Sequence, residues 1–345
     1  MMNQFSYRFG QPEHTAHIRT EPADFKVQEM IRVQPDGEGE HVWMNIRKQG
    51  MNTQFLAKRL AKWAGVPEKQ VSYAGLKDRH AVTEQWFSVQ MPGRETPDVE
   101  LLNDEEVIVL SAQRHSQKLR SAVLAANRFE LRLRNVSDVA SVEQRWHSIV
   151  QGVPNYFGEQ RFGINGGNIA KAERMFAGQR VKRPLQSIYI SSVRSLMFNE
   201  IVSRRLDQGI FDRLIPGDIM MLSGSNSTFE QKGEDDLVDR LNSGDIQLTA
   251  PLWGEGRDPL VADYAELVAE VTSKHPTLIE GLKSVRARLA FRPIQLKPES
   301  CSINAEGNDI VVGFVLPSGS FATSILRELV DYKDISGEAL HAHSD

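Results

Sequence analysis

Hydrophobic and polar residues alternate in several segments of the first 135 positions. The segment from Phe25 to Val33 alternates, Pro35 to Gly39 supplies turn residues, and alternation resumes from His41 to Arg47. Period-two alternation on both sides of a turn is typical of two antiparallel strands. The pattern therefore predicts an early β-hairpin.

A helix is predicted next. Asn52 or Thr53 can cap its N-terminus, and Gly65 and Pro67 end it. Its apolar stripe comprises Phe55, Leu56, Leu60 and Trp63. A helix with one apolar stripe buries that stripe, so we expect it to pack on the sheet.

Two further strands are predicted, from Val107 to Ala112 and from Arg128 to Val136. In the second strand, the residues expected on one face are Phe129, Leu131 and Leu133, and those on the other are Arg128, Glu130, Arg132 and Arg134. The sheet is therefore expected to have an apolar face and a charged face at this strand.

The second half of the chain predicts an insertion. After a helical stretch around Val142 to Val150, the pattern becomes glycine-rich and aromatic near Gly152. Later elements are predicted as helices at 191–206, 235–241 and 263–272, β-type residues at 285–296, a strand at 309–316 and a closing helix at 320–330. We expect an α+β sheet domain formed by 1–152 and 285–345 and interrupted by an inserted domain at 153–284.

Composition limits the class of protein. A chain of 345 residues with 40% hydrophobic residues is typical of about two globular domains. The N-terminus lacks the apolar core of a secretory signal and no later segment is apolar enough to span a bilayer, so a cytoplasmic location without membrane contact is expected. A single cysteine, Cys301, excludes an internal disulfide and is expected to be buried. The nine histidines lack metal-ligand spacing.

The net charge of −4 by itself argues against nucleic-acid binding, but a total charge can conceal a local patch of positive charge. A local cluster of basic residues is formed by Arg114, His115, Lys118, Arg120, Arg128, Arg132 and Arg134. The cluster predicts an RNA-facing surface, and the alternative is an ordinary solvated face.

The segment from Val71 to Val89 carries the candidate chemistry. Asp78 is a single carboxylate among Lys77, Arg79 and His80, between two predicted strands. Neighbouring cations stabilise the ionised carboxylate, which can act as a nucleophile. The alternative from charge alone is a solvated loop.

Three blocks resemble one known family. Residues 74–85 (AGLKDRHAVTEQ) are similar to the signature of the tRNA pseudouridine synthase D (TruD) family. Residues 152–163 (GVPNYFGEQRFG) are similar to the start of that family's inserted TRUD domain, and residues 316–329 (LPSGSFATSILREL) resemble its C-terminal signature. The resemblance covers the chain from about Asp24 to near its end.

The resemblance implies a pseudouridine-synthase catalytic domain with a mixed, mainly antiparallel sheet and flanking helices, an inserted α/β TRUD domain, and a cleft between them that receives RNA. It implies that the protein isomerises uridine to pseudouridine at position 13 in the D-arm of tRNA, with Asp78 as nucleophile. This chemistry needs no cofactor, and no obligatory protein partner is expected. Attack at the base and action at the sugar both remain open.

The other candidate site residues also follow from the resemblance. Phe25, Asn127 and Phe321 match substrate-contacting positions, and Phe129 resembles a position that places an aromatic ring against the target base. For Phe129 the alternative is a core residue, because it alternates with buried-type neighbours. Arg19, where the family can carry lysine, is the candidate basic partner of Asp78, and the alternatives are Lys77 in that role or a surface position for Arg19. Lys77 is also a candidate substrate-binding residue.

Two other functions would also use parts of this sequence. A non-catalytic RNA-binding module is disfavoured by the aspartate inside an intact signature. An acid-base hydrolase would use Asp78 with Glu84, but nothing aligns these two carboxylates across a scissile bond. The aromatic and basic residues of block 152–163 either line the RNA cleft or anchor the inserted domain.

Overall fold

The computed structural model describes residues 4–231, 236–256 and 260–336. Asp235, the first residue of one predicted helix, lies outside these ranges. The described strands are β1 (Thr15–Ile18), β2 (Phe25–Ile31), β3 (His41–Gln49), β4 (Val71–Tyr73), β5 (Val82–Gln90), β6 (Val107–His115), β7 (Leu124–Leu133), β8 (Val153–Pro154), β9 (Ile219–Leu222), β10 (Thr228–Glu230), β11 (Ile246–Leu252), β12 (Ala290–Pro293), β13 (Gln295–Leu296), β14 (Glu299–Glu306), β15 (Asp309–Pro317) and β16 (Asp331–Asp334). The described helices are α1 (Thr53–Ala64), α2 (Val139–Ile149), α3 (Gly167–Phe176), α4 (Arg183–Asp207), α5 (Leu237–Ser243), α6 (Ala262–Thr272), α7 (Pro276–Ser284) and α8 (Ala322–Leu329).

The chain divides into two compact units. The first, called here the sheet unit, comprises Pro12–Val150, Pro298–Ala322 and the chain from Leu329 onward. The second, the helical unit, comprises the chain up to Gln11, Gln151–Lys297 and Thr323–Glu328. Each unit is thus assembled from segments that are distant in sequence.

The sheet unit is built on an eight-stranded sheet. Seven strands follow the order β14-β15-β7-β2-β5-β3-β6, and β4 pairs with β5. Only β2 and β5 run parallel; the other pairs in this sheet are antiparallel. The prediction of an α+β fold with a mixed, mainly antiparallel sheet is confirmed.

The predicted early hairpin is wrong. Strand β5 lies between β2 and β3. It runs parallel to β2 and antiparallel to β3. All nine residues of β5 pair with β3, from Gln49↔Val82 to His41↔Gln90. Alternation identified both strands correctly. It does not encode which strand becomes the neighbour of which, because every half-buried strand carries the same period.

Helix α1 packs against one face of this sheet, called here the inner face. Asn52 caps the helix by accepting a hydrogen bond from the Phe55 amide, and Gly65 ends it in the left-handed conformation at φ +63°. The buried residues of the helix are Thr53, Leu56, Ala57, Leu60, Ala61 and Ala64. Phe55, predicted in the apolar stripe, is 58% exposed because it precedes Leu56 and so points away from the i, i+4 row of Leu56 and Leu60.

Strand β7 shows the two predicted faces. Its buried residues alternate with exposed Arg128 and Glu130 and with half-buried Arg132. The buried face of β7 continues across β15, where Phe314 pairs with Phe129. The same inner face therefore carries both the core and the candidate site residues of this strand.

The helical unit contains a four-stranded antiparallel sheet in the order β10-β9-β11-β12, with α4 and α5 packed against β11. The β-type residues predicted at 285–296 form β12 and β13, which pair with β11 and β8 inside this unit. The chain rejoins the eight-stranded sheet only at β14. The predicted return at 285 is therefore corrected to Glu299, because the hydrogen-bond partners of β12 lie in the inserted segment.

Candidate active site

The loop between β4 and β5 holds Asp78. The Gln85 amide donates to the Gly75 carbonyl at 2.6 Å, and the Lys77 backbone amide donates to Thr53 Oγ1 at 2.9 Å. Thr53 Oγ1 in turn donates to Gln85 Oε1 at 3.0 Å. The loop is thus fastened to α1 and β5 by side chains that are themselves buried or bonded to each other.

A second attachment comes from β2. The ammonium of Lys77 lies 2.5 Å from Glu29 Oε1, and Glu29 Oε2 accepts a hydrogen bond from the Trp86 amide at 2.8 Å. The Glu29 side chain is fully buried. This geometry favours an anchoring role for Lys77; the predicted contact of Lys77 with substrate stays a prediction.

Asp78 is paired with Arg19. Arg19 Nη2 lies 3.0 Å from Asp78 Oδ2, and the Asp78 side chain is 28% exposed. The backbone of Arg19 has φ +54°, a conformation that costs a non-glycine residue free energy and is often found at functional sites. An ionised carboxylate is therefore held beside a fixed cation while part of its surface stays accessible.

A second carboxylate shares the same guanidinium. Asp334 Oδ2 lies 2.5 Å from Arg19 Nη1. The parallel pairing of β1 with β16 aligns Ile18 with Asp334, and this brings the aspartate next to Arg19. Sequence reasoning missed Asp334, since nothing local to residues 331–334 indicates that this short strand pairs with β1.

Aromatic rings continue from Arg19 along the inner face. The Arg19 guanidinium carbon lies 4.2 Å from the centroid of the Phe25 ring. Phe25 meets Phe129 edge to face at 6.4 Å, and Phe129 stacks on Phe314 at 5.4 Å. Phe129 is buried in this column, which supports the core alternative for that residue.

Asn127 lies opposite Glu29 in the pairing of β7 with β2. It is buried, and its Oδ1 has no hydrogen-bond partner among the described residues. A buried amide oxygen without a partner costs free energy, so such groups are often reserved for a ligand. Asn127 Oδ1 is therefore available to accept a hydrogen bond from a bound group.

Phe321 lies in the segment that follows β15. The last residues of that strand pair with β7, Leu316 with Asn127 and Pro317 with Ala126, and Ser318 donates its amide to the Ala125 carbonyl at 3.2 Å. Phe321 itself is half-buried. Strand pairing thus brings the C-terminal signature to the same end of β7 that carries Asn127.

Glu84 lies on the opposite face of the sheet from Gln85, which contacts the Asp78 loop. Glu84 Oε1 pairs with Arg47 Nη2 at 2.7 Å. The groove around them is lined by Lys26, Val27, Gln28, Arg47, Val82, Glu84, Arg128 and Glu130. This arrangement argues against a hydrolase that uses Asp78 together with Glu84.

Three residues of the predicted basic cluster are paired with acids, and the role of the cluster as an RNA-facing surface stays a prediction. Arg132 pairs with Glu306 and Asp309, and Arg134 pairs with Asp24 and Glu21. His115 lies 3.1 Å from Asp36. The acids that pair with these three residues come from distant segments, so the local sequence did not reveal them.

The block at 152–163 makes mainly internal contacts of the helical unit. Asn155 donates its side-chain amide to the Pro293 carbonyl at 2.9 Å, and Phe157 exchanges hydrogen bonds with the side chain of Asn199 on α4. Tyr156 donates its hydroxyl to the Ser6 carbonyl at 3.0 Å. These bonds hold the block within the helical unit; the cleft-lining role and the role of anchoring the inserted domain on the first domain both stay predictions.

Three further observations concern the described residues. Within 4–231, 236–256 and 260–336, no helix is long and apolar enough to cross a membrane. In the same ranges no group of three or more His, Cys, Asp or Glu side chains is placed to hold a metal ion. Cys301 is exposed, which contradicts the expectation of burial, because β14 is an edge strand whose other residues are also mostly exposed.

Comparisons with known proteins agree with the fold. The model of the family "tRNA pseudouridine synthase D (TruD)" matches residues 1–172 and 169–329. The tRNA pseudouridine synthase D of Aeromonas hydrophila is 43% identical over 97% of this chain and 96% of its own length, and that of Shewanella oneidensis is 45% identical over 97% and 91%. A crystal structure described as TruD from Methanosarcina mazei superposes with a TM-score of 0.75 at 21% identity, covering 94% of this chain and 95% of the other.

The sheet topology and these matches define an isomerase of the pseudouridine synthase class. The chain belongs to the tRNA pseudouridine synthase D (TruD) family.

Proposed function

We propose that this protein converts uridine to pseudouridine in tRNA in the cytoplasm, at position 13 of the D-arm, with Asp78 as the nucleophile. The observation that carries the proposal is the ion pair between Arg19 and a partly exposed Asp78, which itself lies in the block 74–85 similar to the family signature. The names of the relatives support tRNA as substrate.

The reaction balances without an added group. The bond from the ribose C1′ to N1 of uracil breaks, a bond from C1′ to C5 forms, the C5 proton leaves to solvent and N1 gains a proton. Asp78 forms a transient covalent bond at the base or acts at the sugar, and both routes return the carboxylate unchanged. No oxidant, reductant or cofactor is consumed.

Arg19 places a positive charge beside the Asp78 carboxylate when RNA excludes water from the site. Desolvation disfavours a charged carboxylate, and a guanidinium 3.0 Å away offsets this effect. The Arg19 side chain is itself buried and shared between two carboxylates, so it stays in place before RNA arrives. The site is therefore preorganised for an anionic nucleophile.

The detached base must rotate without leaving the site. Asn127 Oδ1 can accept the N3 proton of uracil, and the half-buried ring of Phe321 can stack on the base. Phe25 contributes by holding Arg19 through its ring face. These contacts fit a nucleotide that has been flipped out of its helix.

The test uses tRNA carrying tritium at C5 of its uridines. The wild-type protein should release tritium to water, and site mapping should place the pseudouridine at position 13. A non-catalytic RNA-binding module would bind the tRNA and release none, which would contradict the proposal.

Asp78→Asn identifies the nucleophile. The neutral amide cannot attack, so we expect turnover to fall by at least about 10⁴-fold, the scale seen when a nucleophile is removed, while tRNA affinity changes little. Asp263→Asn makes the same substitution at an exposed position of α6 and should leave turnover unchanged. Normal turnover by Asp78→Asn would show that Asp78 is not the nucleophile.

A further inference from the structure

Lys48 is a fully buried charged residue on β3, directly beneath the Asp78 loop. Its side chain is 0% exposed and projects from the inner face of the sheet, where it pairs in register with Thr83. Its ammonium donates to two backbone carbonyls, that of Met51 at 2.7 Å and that of Asp78 at 3.2 Å. A lysine is rarely found in such a position without a specific task.

Burial disfavours the charge of this lysine. Burial, together with the neighbouring charge of Lys77, lowers the pKa of Lys48 to about 8 against the opposing charges of Asp78 and Glu29. An apolar side chain of similar length would avoid this cost. The hydrogen bonds to the two carbonyls are what the lysine supplies and an apolar residue would not.

The two carbonyls belong to the segment before α1 and to the Asp78 loop, and the site requires these two segments to keep a fixed position relative to each other. Met51 lies immediately before the cap of α1, and the Asp78 carbonyl is in the same residue as the carboxylate that pairs with Arg19. On the other side of Asp78, the Lys77 amide is bonded to Thr53 on α1. The backbone of the Asp78 segment is therefore fixed by Thr53 before its α-carbon and by Lys48 after it.

We propose that Lys48 is a positioning residue for the nucleophile: by holding the Asp78 carbonyl, it sets the distance and direction of the Asp78 carboxylate relative to Arg19 and the substrate. Thr53 assists by accepting a hydrogen bond from the amide of Lys77, the residue before Asp78. The inference rests on the proposed function of Asp78. Because Lys48 is fully buried, it acts on the reaction without touching RNA.

Lys48→Met removes the ammonium and keeps an unbranched side chain. A misplacement of about 1 Å in a catalytic group costs about 10²-fold in rate, so we expect kcat at saturating tRNA to fall by about 10- to 100-fold. The dissociation constant for tRNA should stay within about twofold, since no RNA contact is lost. Lys62→Met, the same change at an exposed position of α1, should leave both quantities unchanged.

Thr53 provides a second, milder pair of variants. Thr53→Val removes the acceptor for the Lys77 amide and should lower kcat without weakening tRNA binding, whereas Thr53→Ser retains the hydroxyl and should restore most of the activity. If Lys48→Met does not fold, the Thr53 pair decides the question: equal kcat for Val and Ser would overturn the proposal.

The outcomes separate this inference from the proposed function. A wild-type protein that releases tritium together with a Lys48→Met protein of undiminished kcat would overturn the positioning role alone. A loss of kcat that merely follows the unfolded fraction, measured by circular dichroism at the assay temperature, would also overturn it. Absence of tritium release by the wild type would instead contradict the proposed function.

Discussion

Two arginine–aspartate pairs, one in each unit, have similar chemistry and different surroundings. In the helical unit, Arg205 and Asp218 are both 0% exposed and joined by two hydrogen bonds of 2.6 and 3.1 Å. In the sheet unit, Arg19 and Asp78 are joined at 3.0 Å, and Asp78 remains partly exposed.

The further partners of each pair differ. Arg205 also donates to the carbonyls of Ile210 and Arg213, and Asp218 accepts from the Ile215 amide. These bonds close the turn after α4. Arg19 instead meets a second carboxylate, that of Asp334, and its backbone is held at positive φ. An ion pair whose two side chains are fully buried has a structural role, whereas a pair that leaves its carboxylate accessible to solvent can take part in a reaction.

The largest expected effect is on the closed pair. Arg205→Met leaves Asp218 charged and buried, and breaking a buried pair in this way costs about 3–5 kcal/mol. We expect the free energy of unfolding, measured by urea titration with tryptophan fluorescence, to fall by this amount. At a temperature where the variant is still folded, its kcat should equal that of the wild type; a loss of kcat in the folded variant would erase the contrast between the two pairs.

The open pair should respond in the opposite way. Arg19→Met removes the cation beside Asp78, and we expect kcat to fall by about 10²-fold, which corresponds to about 2.7 kcal/mol in the barrier. The free energy of unfolding should change much less than in Arg205→Met, because Asp78 can take up water. Arg19→Lys keeps the charge and should retain more activity than Arg19→Met. Equal kcat for Met and Lys would mean that the charge of residue 19 does not assist Asp78.

The smallest effect is expected at the shared carboxylate. Asp334→Ala frees one side of the Arg19 guanidinium, and we expect kcat to fall by about fivefold, or about 1 kcal/mol. Asp334→Asn keeps an oxygen that can accept from Arg19 Nη1 and should stay within about twofold of the wild type. Steady-state kinetics on tRNA would measure both; an equal loss in Asn and in Ala would show that Asp334 acts through its charge and not by orienting Arg19.

The strands and helices were largely predictable from the sequence, and their pairing was not. Alternation located β2 and β3, yet β5 lies between them. The β-type pattern at 285–296 located β12 and β13, yet these strands pair within the helical unit. Local periodicity reports which residues face a core, and any compatible strand can supply the neighbouring edge.

In the candidate site too, the local sequence identified some residues, and only the tertiary structure showed which residues they contact. Asp78 was located by its own segment, with the cations around it and the block similar to the TruD signature. Arg19 was a candidate only by resemblance, and the fold brought it to the carboxylate. The acids Glu306, Asp309 and Asp24, which pair with Arg132 and Arg134 of the basic cluster, reach these arginines from segments distant in sequence.

By itself, the sequence determined that an aspartate lies on a loop between two strands, within a chain of the TruD family. The tertiary structure alone decided that Asp334 shares Arg19 and that Lys48 holds the Asp78 carbonyl. The physical reason is that a side chain's exposure and partners depend on strand register across segments that are distant in sequence, whereas local patterns act only over a few residues.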